Sequence, residues 1–326
     1  MLTFFIVVLG AFVRLSDAGL GCPDWPGCYG HLGVPDSHSE LQIANEAYPE
    51  RPVEAHKAWK EMIHRYFASS LGLIIIVLAG MAIRKRLQGE RKQQLLLPLL
   101  LVLIVCFQGA LGMWTVTLLV KPVIVTLHLL FGLITLSLLF LMALRHYDSF
   151  PRQKPPHARP KTGFRAMALA GLIIVFTQIF LGGWTSTNYA ALHCPDLPTC
   201  QGQWFPETDF KEAFTLIREI GVDYEGGVLD NTGRVTVHVT HRLGAVVTLI
   251  FVTLLGILAL KEASPAVRKS GIAMLILVSV QFCLGIANVL LHLPIAIAVA
   301  HNGGAALLLL SLVAINHFSK EPAVQD

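Results

Sequence analysis

Long runs of apolar residues separated by short polar or basic stretches dominate the chain. Apolar spans are read near residues 1–13, 63–83, 94–117, 124–144, 165–187, 237–260, 270–290 and 296–316. A bilayer crossing takes about 20 predominantly apolar residues, so the pattern predicts an all-α integral membrane protein with eight transmembrane helices. The first span counts thirteen residues before Arg14. At about 1.5 Å per residue this falls short of roughly 30 Å of hydrocarbon, and the expectation is that part of the first helix precedes Met1. The corresponding fifth span begins eight or more residues earlier relative to the motif that the two share.

Composition agrees with a membrane solvent. Of 326 residues, 54% are hydrophobic and 14% charged, and the mean hydropathy is +0.62, whereas soluble domains carry roughly 25% charged residues. The spans recur along the whole chain, which argues against a secreted protein with a signal peptide. The net charge of +4 matters through its distribution, because basic loops face the cytoplasm. Arg84, Lys85, Arg86, Arg91 and Lys92 follow the second span, a basic stretch from Arg145 to Arg165 follows the fourth, and Lys261, Arg268 and Lys269 follow the sixth. Both termini are therefore expected inside, with the long connections near 14–62 and 188–236 outside, which in a bacterium is the periplasm. No nucleic-acid partner is expected.

An internal repeat organises the chain. Leu9-Gly10 and the segment Cys22-Pro23-Asp24-Trp25-Pro26-Gly27-Cys28 recur as Leu181-Gly182 and Cys194-Pro195-Asp196-Leu197-Pro198-Thr199-Cys200, at an offset of 172. His64-Arg65 recurs as His241-Arg242 at 177, and Gln108, Leu111, Gly112 and His128 recur as Gln281, Leu284, Gly285 and His301 at 173. The repeat is parallel, since each half has four spans in the same orientation. It predicts two tandem, pseudo-symmetric four-helix bundles, residues 1–146 and 164–326, joined by a cytoplasmic linker over 147–163.

Histidines inside membrane spans are costly and usually face a bundle interior. His64 and His241 are expected to open the second and sixth helices, and His128 and His301 to lie about a turn inside the fourth and eighth. All four then share one depth near the outer face, so two imidazoles can meet across each bundle. That arrangement suits axial ligation of a haem, with Gly112, Gly285, Gly303 and Gly304 leaving room for a flat macrocycle. A zinc site is disfavoured, since no third ligand stands at that depth. Arg65 and Arg242 are placed to pair with haem propionates. Glu61 precedes His64 by one helical turn, and its counterpart in the second half is His238. A carboxylate beside a haem accepts or delivers protons and orients water.

The cysteines fall into two classes. Cys22 with Cys28, and Cys194 with Cys200, flank short Pro-containing loops in an oxidising compartment and read as two local disulfides. Whether these staple the loops or act in redox chemistry stays open. Cys106 and Cys283 sit in apolar helices and read as small buried packing residues.

With these residues in place, the sequence resembles the heme A synthase family along nearly its whole length. The resemblance rests on Gly10-Ala11-Phe12-Val13-Arg14-Leu15 leading to Gly19-Leu20, on Glu61-Met62-Ile63-His64-Arg65, on His128, on His238-Val239-Thr240-His241-Arg242 and on His301. It implies stepwise oxidation of a ring methyl of heme O to the formyl group of heme A, for terminal oxidases. The half with Glu61, His64 and His128 would take the substrate haem, and His241 and His301 would ligate a resident haem b. The two outer cysteine pairs look like the bacterial form of the family. Heme O synthase, an electron donor and the lipid membrane are the partners it implies, and self-association into a homo-oligomer is left open. Two other classes also stand: a bis-histidine membrane cytochrome b that transfers electrons, and a non-catalytic haem carrier.

Overall fold

A computed structural model of the chain describes residues 1–90, 94–148 and 163–319. Its helices run, in order, α1 (Leu2–Leu15), α2 (His38–Ala47), α3 (Ala55–Leu87), α4 (Leu96–Thr117), α5 (Pro122–Asp148), α6 (Phe164–Thr187), α7 (Phe210–Ala213), α8 (Asn231–Leu260), α9 (Pro265–Leu290) and α10 (Ile295–Phe318). No strand occurs among the described residues; two isolated bridges, Cys28 with His31 and Cys200 with Gln203, close the turns of the cysteine loops. Seven helices, α3 to α6 and α8 to α10, are long and apolar enough to cross a membrane. The 14 residues of α1 reach about 21 Å. The linker expected over 147–163 lies outside the described residues apart from 147, 148 and 163, as do Arg91, Lys92 and the C-terminal residues from 320.

Helix starts follow local chemistry. The side chains of Asp230 and Ser264 cap α8 and α9 by accepting from the backbone N–H of Gly233 and Val267. Proline opens α5 and α9, where its missing N–H costs nothing. Two starts correct the sequence reading. Helix α3 begins at Ala55 and α8 at Asn231, well before the apolar spans at 63 and 237, because polar first turns extend each helix beyond the hydrocarbon. His64 and His241 therefore lie well inside their helices instead of opening them. His128 and His301 lie further in than one turn, since α5 starts at Pro122 and α10 at Ile295.

Packing divides the chain into two compact units. The first comprises residues 1–136, 187–189 and 215–228, and the second takes in the rest of the described chain. In the first unit α1 packs on α3 and α3 on α4; in the second α8 packs on α9, α9 on α10 and the short α7 on α8. Each unit carries one disulfide. Cys22–Cys28 and Cys194–Cys200 have Cα separations of 4.8 and 4.5 Å. The first is buried with Tyr29, Val34, Ala44, Ala58 and Met62, the second with Val235.

Cys106 and Cys283 are exposed, which corrects their reading as buried. A membrane helix is apolar on its lipid side as well as on its packed side, so an apolar neighbourhood in sequence does not signal burial. Thiol labelling of denatured, non-reduced protein is therefore expected to modify Cys106 and Cys283 alone, with four further sites appearing after reduction. Six sites before reduction would contradict both disulfides.

Candidate functional site

The first unit holds His64 on α3 and His128 on α5, and the second holds His241 on α8 and His301 on α10; all four rings are half-buried. Each rests its edge on a glycine of another helix. A Cβ placed on Gly10 would stand 2.9 Å from His64 Cε1, and one on Gly182 3.1 Å from His241 Cε1. For Gly112 against His128 and Gly285 against His301 the distance is 3.3 Å. Optimal carbon contacts lie near 3.5–4.0 Å, so a larger side chain at any of the four would dislodge an imidazole. Within each unit the two imidazoles are in electrostatic range of one another. The Nδ1 atoms of His64, His128 and His301 are buried with no hydrogen-bond partner, an arrangement that demands an explanation.

Gly112 and Gly285 seat histidine rings, and the space at Gly304 is taken by the Gln281 amide. Gln281 Nε2 donates to the backbone oxygen of His301 at 2.8 Å, and Gln108 Nε2 does the same to His128 at 2.8 Å. Gln178 Nε2 donates to the His241 oxygen at 3.0 Å and also lies 3.0 Å from His241 Nδ1. Sequence reasoning used Gln108 and Gln281 only as markers of the repeat and passed over Gln178. The signal was present as Gln-x-x-Leu-Gly at 108–112, 178–182 and 281–285.

The outer loops are tied to the histidine-bearing helices by equivalent contacts. Glu61, only 5% exposed, accepts from the Cys22 N–H through Oε2 at 3.0 Å and from Arg65 through Oε1 at 2.5 Å. In the second unit His238, 3% exposed, stands in its place: Cys194 N–H donates to its Nδ1 at 3.2 Å, and Arg242 Nε lies 3.3 Å from its Nε2. Arg65 also donates to the carbonyls of Asp24, Pro26 and Gly27 at 3.1, 3.3 and 2.6 Å. Arg242 likewise donates to those of Asp196 and Thr199, both at 2.9 Å, and to that of Cys194. Both guanidinium groups thus tie a disulfide loop to a histidine-bearing helix. Loss of one partner from a buried ion pair costs about 3–5 kcal/mol, so Glu61 and Arg65 hold each other in place.

The loop carboxylates complete the scaffold. Asp24 accepts from the N–H groups of Tyr29 and Gly30 at 2.6 and 2.7 Å, and Asp196 from those of Gln201 and Gly202 at 2.6 and 3.0 Å. Hydrogen bonds from the Thr199 hydroxyl and these amides hold the Asp196 carboxyl below the usual carboxylate range. Tyr29 and Gln201 are left-handed at φ 55° and 52°, each ahead of a glycine, so the turn has one form in both loops.

Comparison with known proteins matches residues 1–313 to the family model COX15-CtaA, described as cytochrome oxidase assembly protein. The chain is 45% identical to the heme A synthase of Shewanella oneidensis, over 97% of this chain and 93% of that one. It is 30% identical to the heme A synthase of Wolbachia pipientis over 93% and 85% of the two chains. Against that of Halalkalibacterium halodurans it is 28% identical over 91% and 86%.

The glycine seats make a controlled test available on one helix. Gly112→Val is expected to displace His128 and lower the haem bound per purified chain, read by pyridine haemochrome. Gly109→Val, on the same helix with nothing within 4 Å of its Cβ position, is expected to keep it. Equal haem content in both variants would contradict the seat.

Proposed function

The chain belongs to the COX15-CtaA family of cytochrome oxidase assembly proteins, and we infer that it acts as a heme A synthase, the membrane oxidoreductase that converts heme O into heme A. The observation that carries this reading is the likeness to heme A synthases along essentially the whole of both chains. Electron transfer alone or haem carriage would not account for a full-length match to an enzyme.

The finer reading is a duplication of function with one half altered. Residues 1–146 and 164–326 form two pseudo-symmetric four-helix bundles, with α1 as the eighth span. Both termini lie in the cytoplasm of a bacterium, and the haem sites lie near the periplasmic face of its inner membrane. The recurrence of glycine seats, disulfide loops and arginine contacts in both units supports this arrangement. Heme O synthase is the natural supplier of substrate.

The second-half residues fit a resident haem b. His241 and His301 lie in one unit, each seated on a glycine of another helix, and a pair of imidazoles is a donor set that suits axial ligation of haem iron. When bound, that haem supplies one-electron transfer. In the first half His64 and His128 hold the substrate haem. Glu61 lies one turn outward from His64, and both of its oxygens are fixed, Oε1 by Arg65 and Oε2 by Cys22. Uptake of a proton on Oε1 loosens Arg65, and its release restores the pair, so Glu61 can manage a proton during methyl oxidation without leaving its place.

Two experiments test this reading. His241→Ala and His301→Ala are each expected to remove the low-spin haem b, and an unchanged optical spectrum and haem content in both would overturn the ligand assignment. Glu61→Gln keeps an acceptor for the Cys22 N–H but removes the charge. It is expected to retain substrate haem while heme A formation falls by about 10² to 10⁴-fold, the usual range for general acid–base groups. His238→Gln is expected to fall far less. Chromatography of extracted haems from cells supplied with heme O reads the outcome; normal heme A from Glu61→Gln would remove the carboxylate from the mechanism, and no heme A from the wild-type chain would remove the function.

A further inference from the structure

The four histidine seats share one construction with one exception. A Leu-Gly step occurs at 9–10, 111–112, 181–182 and 284–285, and the residue four before each glycine is Ile6, Gln108, Gln178 and Gln281 respectively. Each of the three glutamines donates to the backbone oxygen of the histidine seated on its own glycine, at 2.8 to 3.0 Å. The tie joins the ligand-bearing turn to the helix that carries the seat. Room for the amide comes from a glycine one turn beyond the histidine: Gly132, Gly244 and Gly304.

His64 has none of this. Ile6 is buried and offers no donor, and the residue three beyond His64 is Phe67, whose ring packs edge-on against Phe5 with centroids 5.1 Å apart. An apolar contact replaces both the amide and its glycine. The polar contacts near His64 run outward, from Glu61 and Arg65 to the disulfide loop. The unequal treatment is sharpest between His64 and His241, which occupy equivalent places: His241 has Gln178 at its carbonyl and beside its Nδ1, whereas His64 Nδ1 is buried without a partner.

We propose that His64 is the displaceable ligand of the substrate site, freed by Ile6 where the other three seats have glutamine, and that Gln178 is the positioning residue that makes the equivalent ligand His241 hold its haem permanently. This rests on the reading that substrate haem lies at His64 and His128 and haem b at His241 and His301. An enzyme that alters one haem and keeps another needs this distinction. Substrate must enter and product leave in every turnover, and a ligand whose backbone oxygen has no amide tie to the helix that seats it swings away at smaller cost than one so tied.

The test follows haem release instead of activity. Purified full-length protein carrying both pigments is mixed with excess apomyoglobin, and the haems remaining on the protein are separated by chromatography over time. In the wild type, farnesylated haem is expected to leave faster than haem b. Ile6→Gln combined with Phe67→Gly, which makes room for the amide, is expected to slow the farnesylated haem by about 2- to 10-fold, the range of one net hydrogen bond, without changing haem b. Gln178→Ile is expected to speed haem b by a similar factor without changing the farnesylated haem. Ile6→Leu combined with Phe67→Gly, which makes the same room and adds no donor, is expected not to slow the farnesylated haem and so controls for packing. Equal release of the two haems in the wild type, or unchanged release in both the Ile6→Gln/Phe67→Gly variant and Gln178→Ile, would overturn the inference while leaving the assigned sites intact. Failure of the wild type to bind farnesylated haem at all would overturn the site assignment itself, and this inference with it.

Discussion

An imidazole inside an apolar bundle needs space that only a neighbouring helix can give, and it needs partners in a medium that offers no water. Here the same solution appears four times. A Leu-Gly step removes one side chain from the facing helix so that a histidine edge can lie against its backbone. The leucine keeps the contact apolar and the glycine sets its depth. Neighbouring features adjust to that approach: amides reach histidine carbonyls, and glycines beyond the histidines make way for the amides. Small residues at membrane helix crossings ordinarily let backbones approach closely; in this chain they let a histidine ring do so.

Above the histidines, each unit builds a disulfide loop to one plan and ties it to the helix by an arginine. The residue beneath the first cysteine differs. Glu61 and His238 accept from the same backbone position and meet the equivalent arginine, so the exchange keeps the scaffold and changes the charge. In the first unit the arginine is matched by a carboxylate; in the second its charge faces carbonyls and an imidazole. The two units thus carry different electrostatic environments on one loop plan, through one side chain.

Seven of the eight spans and the recurrence of the histidine pairs were legible because hydrophobic runs and fixed offsets are properties of sequence. Contacts across helices were not. The ties that Arg65 and Arg242 make to the disulfide loops were hidden, since nothing in their order along the chain reveals carbonyls of a loop some 40 residues away. Cys106 and Cys283 looked buried because the lipid and the core impose the same composition on a membrane helix. Helices α3 and α8 looked shorter than they are, since hydropathy reports where hydrocarbon ends and hydrogen bonding continues through polar turns. The glutamines were visible three times over, but their meaning needed the carbonyls that they reach.

The differences between the halves gather on one short stretch. Glu61 and His64 lie on α3, and Ile6 lies on α1, the helix that α3 packs against. Their counterparts His238, His241 and Gln178 have the same relation in the second unit. Binding that is equally strong for substrate and transition state does not raise the rate of the chemical step, and equally strong binding of product delays its departure. A resident cofactor is under the opposite demand, since each loss idles the enzyme. With substrate haem in one unit and resident haem in the other, as proposed, a tie to the histidine turn would be useful in the second and obstructive in the first. The absence of an amide beside His64, where Phe5 and Phe67 meet instead, would relieve the obstruction and leave the ring on its glycine.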